Sequence, residues 1–66
     1  MNNLSRSELE ALIDEWVLSE RNRKIVKRKL LDGIPYEPLA EEVRLSPRQV
    51  QNIVGKFKKK VSAHIA

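Results

Sequence analysis

Cysteine is absent from this 66-residue chain. Neither a disulfide framework nor a thiolate metal site can therefore reinforce it. A single core of this size leaves only a few kcal/mol of net stability, so helix packing must carry one small domain spanning 1–66. Aromatic residues are scarce: Trp16, Tyr36 and Phe57. Trp16 and Phe57 lie within apolar stripes and read as core, leaving no evident platform on which unpaired bases would stack. The two glycines, Gly33 and Gly55, form no phosphate-binding loop. No apolar run approaches the roughly 18 residues needed to span a bilayer, and "MNNLSRSELE" lacks the basic-then-apolar order of a signal peptide. The expectation is a soluble, cytoplasmic protein with no membrane partner. His64 is the single histidine, and neither a metal-ligand set nor a positioned acid accompanies it or Ser62. No catalytic residue, metal site or cofactor is expected.

The charge that is present is unevenly placed. Residues 1–20 hold Arg6 against five carboxylates, Glu8, Glu10, Asp14, Glu15 and Glu20, a balance of −4. Residues 21–66 hold twelve basic groups against Asp32, Glu37, Glu41 and Glu42, a balance of +8. A basic C-terminal part suggests a polyanionic partner, with nucleic acid first.

Apolar spacing of three and four predicts four helices and an all-α fold. The first, about 6–17, is capped by Ser5 and carries Leu9, Leu12, Ile13, Trp16 and Val17 on one face and acidic groups on the other. The second, about 20–32, starts from Ser19 and stops at Gly33, with Ile25, Val26, Leu30 and Leu31 apolar and Arg21, Arg23, Lys24, Lys27, Arg28 and Lys29 around them. Pro35 and Pro38 bracket the entry to a short third helix, about 36–43, because Pro38 is tolerated only in a first turn. The fourth, about 47–64, buries Val50, Ile53, Val54, Phe57 and Val61. Its start, "LSPRQV", has Leu45 and Val50 placed as a hydrophobic staple, Ser46 and Gln49 as a reciprocal cap, and Pro47 at the first helical position. "LSRSEL" at 4–9 repeats that grammar, so the cap alone implies no function.

Only Arg44 to Ser46 join the third and fourth helices, which predicts a sharp corner. A close crossing there requires a small residue, supplied by Ala40, with Leu39, Val43, Leu45, Val50 and Ile53 buried around it. This is the pattern of a helix-turn-helix. Residues 18–61, "LSERNRKIVKRKLLDGIPYEPLAEEVRLSPRQVQNIVGKFKKKV", resemble region four of bacterial RNA polymerase sigma factors and, more loosely, the C-terminal domains of response regulators. The resemblance rests on "LSERNRKIV", "LLDGIPYEPLAEEV" and "LSPRQVQNIV". It implies sequence-specific duplex DNA recognition through the major groove, with RNA polymerase as a further partner. Arg44 replaces the glycine usual in such turns, at a cost on the order of 1 kcal/mol if its backbone is left-handed. The chain has no counterpart of the parts of a sigma factor that melt the promoter or bind the polymerase core. The expectation is a small transcriptional regulator using the DNA-reading module, with 1–17 as an added acidic helix.

In that geometry the fourth helix enters the groove N-terminus first. Pro47, Arg48, Gln51 and Asn52 then face base edges, with Lys56 at the limit of reach. Arginine can grip guanine O6 and N7, and Asn or Gln can pair with adenine N6 and N7. Arg44, Ser46, Lys56, Lys58, Lys59 and Lys60 are the candidates for the DNA backbone, while Gln49 is assigned to capping alongside Ser46. Lysines toward a helix C-terminus are also favoured by the helix dipole, so a solvated basic face is the competing reading, as it is for Arg21, Arg23, Lys24, Lys27 and Arg28. The leading alternative function is a protein-interaction module docking on RNA polymerase or another regulator; RNA binding is a third. A homodimer is also expected from the small footprint of one copy, with Leu4, Trp16 and Val17 available as an interface.

Overall fold

Three of the four helices begin on a serine whose hydroxyl closes the first turn. The computed structural model describes the backbone of residues 4–65 and the side chains through residue 63. It contains α1 (Arg6–Trp16), α2 (Glu20–Leu30), α3 (Tyr36–Val43) and α4 (Pro47–Ile65), with no strand among the described residues. The fold is all-α. At α1 the Ser5 hydroxyl accepts the Glu8 N–H at 3.2 Å, and the Glu8 carboxylate accepts the Ser5 N–H at 3.3 Å. At α2 the Ser19 hydroxyl accepts the Asn22 N–H at 3.3 Å. Both caps satisfy donors that the first turn would otherwise leave open. α3 has no side-chain cap; Pro35 precedes it, and Pro38 sits in its first turn, where no intrahelical donor is needed.

The boundaries depart from expectation by one or two residues. α1 ends at Trp16 because Val17 is already extended, although its N–H still reaches the Ile13 carbonyl at 2.9 Å. α2 ends at Leu30 rather than near residue 32. Arg6, from α1, donates to the Leu31 carbonyl at 3.1 Å, and the chain swings through Gly33 at φ 69°. A left-handed residue there is the usual way a helix is terminated. α4 runs to Ile65, one residue past the expected end.

α2 is the hub: it packs against α1, α3 and α4, and α3 packs against α4. All four helices feed one core of Ile13, Ile25, Val26, Leu39, Ala40, Val50, Val54, Phe57 and Val61. Val50, Val54, Phe57 and Val61 follow the three-and-four spacing of a single stripe. Val43, Leu45 and Ile53, expected to be buried, are only half-buried and pack against the edge of the core. Each lies to the side of the stripe or at the turn, where a core this small has no further layer to cover it.

Ion pairs fasten the outer helices to the hub. Lys27 meets Asp14 at 2.7 Å, joining α2 to α1. Arg6 meets Asp32 at 3.2 Å. Arg28 places its guanidinium against Glu42, its Nε donating at 2.8 Å, and also reaches Asp32 at 3.2 Å, so α2 grips α3. Lys29 lies 4.2 Å over the Tyr36 ring, a second link between the same helices. The hydrogen bonds and positive charge of Arg28 hold the Glu42 carboxyl below its ordinary value of 4.5. A depressed folded-state value stabilises the fold above the unfolded value, and that contribution is lost as pH falls through the folded one. Glu42→Gln should therefore lower the Tm at neutral pH, and the gap to wild type should close in circular-dichroism melts as the carboxylate is protonated in acid. A gap unchanged by acid would remove this role.

Candidate nucleic-acid interface

The corner between α3 and α4 is built by backbone geometry at one residue. Arg44 is left-handed, at φ 58° and ψ 43°. The Arg44 N–H donates to the Glu41 carbonyl at 3.3 Å, and the Leu45 N–H reaches back to the Ala40 carbonyl at 3.0 Å. These two bonds close the end of α3, an arrangement normally seen with glycine at the left-handed position. Ala40, 2% exposed, is the small residue beside this corner. α4 then starts at once: the Ser46 hydroxyl accepts the Gln49 N–H at 3.2 Å, and Gln49 Oε1 accepts the Ser46 N–H at 2.9 Å. Gln49 is thus engaged as a cap, as expected, with its carbonyl oxygen turned to its own helix.

Pro47, Arg48, Gln51 and Asn52 are all exposed at the leading end of α4. At about 100° per residue, Arg48, Asn52, Gly55 and Lys59 form the stripe opposite the core, and Gln51, Gly55 and Lys58 form the one beside it. Gly55 is shared by both stripes, and a Cβ added to it would meet nothing within 4 Å. The fold itself has no steric need for glycine there, and the middle of the outward face is consequently flat.

The expected backbone-contacting lysines do not share one face. Lys58 lies on the Gln51 side, whereas Lys56, Lys59 and Lys60 line a groove between α4 and the end of α1. Trp16, Val17, Leu18, Ser19, Asn22, Ile53, Phe57 and Ala63 complete that groove. Leu18 is 85% exposed and was given no role from sequence. The available signal was an apolar residue just ahead of the Ser19 cap, outside both helical stripes.

Ion pairing differs between the two basic regions. On α2, Lys27 and Arg28 are neutralised by carboxylates, Arg23 donates to the Leu18 carbonyl at 3.1 Å, and Lys29 lies on Tyr36. Two of the six basic α2 side chains are thus paired with carboxylates, while Arg21, Arg23, Lys24 and Lys29 keep their charge. α4 contains no acidic residue. Among the described residues, Arg44, Arg48, Lys56, Lys58, Lys59 and Lys60 take part in no ion pair. Unpaired cations therefore remain on α2 as well as on the turn and α4, but α4 alone of the four helices has no carboxylate of its own.

No protein-family model, curated protein or solved structure matches this chain. Among the described residues, no cluster of three His, Cys, Asp or Glu side chains could hold a metal ion, and no helix is long and apolar enough to cross a membrane. The side chain of His64, read from sequence as partnerless, lies outside the described residues.

Proposed function

We propose that α3, the turn at 44–46 and α4 form a DNA-binding helix-turn-helix, and that the protein is a small transcriptional regulator acting on duplex DNA in the cytoplasm, without catalysis or cofactor. One observation carries this reading: the unpaired cations of the turn and α4 surround the exposed Arg48, Gln51 and Asn52, on a helix with no acidic residue. A polyanion gains most from charge that the fold has left unneutralised. Arg48, Gln51 and Asn52 supply the donors and acceptors that read base edges, and Pro47 lies beside them. Arg44, Ser46, Lys56, Lys58 and Lys59 hold the phosphates. The resemblance of residues 18–61 to region four of sigma factors supports the same assignment.

A protein-interaction reading is favoured by a different observation, the apolar groove beside Leu18. It makes RNA polymerase or another regulator the principal partner and DNA contact incidental. Fluorescence anisotropy on a random duplex at low salt separates the two. The DNA reading predicts binding at micromolar protein, with structured RNA competing less well than duplex, followed by an enriched motif when oligonucleotides are selected from a random pool. No binding to any duplex under these conditions, with the protein folded, would sink it.

A further inference from the structure

Leu18 stands between two helices, in the short link 17–19, yet it is held firmly. Val17 closes the end of α1, Ser19 caps α2, and the Leu18 carbonyl accepts a hydrogen bond from Arg23 at 3.1 Å. With its backbone fixed on both sides, a side chain 85% exposed is a preorganised apolar knob. It rises at the edge of the groove that Trp16, Ile53 and Phe57 line together with Lys56, Lys59 and Lys60. Glu15 and Lys60 stand with Trp16 and Leu18 around the adjoining hollow. One surface therefore carries a knob, a groove and charges of both signs.

We infer that this surface is the interface of a symmetric homodimer, in which Leu18 of each copy enters the groove of the other and Glu15 of each faces Lys60 of the partner subunit. A two-fold contact brings residue i against j and j against i, so a patch can pair with itself only if it is self-complementary. Knob beside groove and Glu15 beside Lys60 meet both parts of that requirement. An acidic peptide would answer the lysines of the rim but would leave Glu15 facing like charge. The groove's lining takes in the exposed Lys56 and Lys59 as well as Lys60, but none of Arg48, Gln51 and Asn52. The dimer also gives Lys60 a role other than phosphate contact. The inference does not depend on DNA binding.

Sedimentation of the protein without DNA tests it directly. Wild type is expected to shift from 7.7 kDa toward twice that mass as concentration rises to about 200 µM. Leu18→Glu, at a site too exposed to affect folding, should weaken the dimer at least tenfold with an unchanged far-UV spectrum. Charge reversal supplies the second arm. Glu15→Lys alone sets lysine against the partner's Lys60, and Lys60→Glu alone sets glutamate against the partner's Glu15; both should weaken self-association. Mixed in equal amounts, the two variants present opposite charges at both contacts and should form a heterodimer, which rearrangement within one chain cannot produce. A wild type that stays at 7.7 kDa throughout, a dimer indifferent to Leu18→Glu, or variants that do not pair when mixed would each overturn the assignment.

Discussion

Leu39→Ala is expected to abolish the cooperative thermal transition, because the loss rivals the entire stability of the domain. Leu39 is fully buried in the shortest helix. Truncating a buried leucine costs about 2–5 kcal/mol, the spread depending on how far the surroundings collapse into the cavity. A single core of this size supplies about 3–5 kcal/mol in all. Collapse has little scope here, since α3 is held between α2 and α4 and has no side-chain cap of its own to keep it helical. The consequence reaches the proposed site, because the α3 carbonyls that anchor the corner at Arg44 are lost with the helix. Circular dichroism should show a broad, low-temperature melt, and binding to duplex should fall with the folded fraction. A sharp transition within a few degrees of wild type would mean that α3 contributes little to the fold and that the corner forms without it.

The helix starts were legible in the sequence because caps are local. Ser5 with Glu8 and Ser46 with Gln49 act across three residues, and both reciprocal bonds occur in the structure. The buried stripe of α4 was legible for the same reason, since periodicity within one helix reports its own inward face. The end of α2 was not. Gly33 marked the stop, but the last carbonyl there is taken by Arg6, 25 residues away, a partner no local pattern could show. The fate of the basic residues was equally hidden: Arg28 looks the same as Lys59 in composition, but Glu42, 14 residues on, neutralises the first while nothing among the described residues neutralises the second. Sequence thus located the candidate reading helix but could not show which of the basic side chains the fold pairs with carboxylates. The groove beside Leu18 was not legible because it is formed by the end of α1, the start of α2 and the flank of α4, and none of these segments alone contains it.

The largest effect expected on function is electrostatic. With Arg44, Lys56, Lys58 and Lys59 on phosphates, about four counterions are displaced per copy, giving a log–log salt slope of about −3 to −4. Affinity for any duplex should then fall on the order of 100-fold between about 50 and 200 mM salt. Two variants on the outward stripe should divide that binding into different parts. Arg48 and Lys59 are about 16 Å apart along the helix axis, several base-pair steps, so they cannot serve the same base pair. Arg48→Ala is expected to weaken the selected site by about 1–3 kcal/mol and to relax the preference at one position, while leaving random duplex nearly unaffected. Lys59→Ala should weaken selected and random duplexes alike and make the slope shallower by about 0.9. Titrations at four salt concentrations, each on both duplexes, measure all of these quantities. If both variants lose equal affinity on the two duplexes, α4 does not enter the groove with its N-terminus leading, and its charge acts only as an undirected attraction.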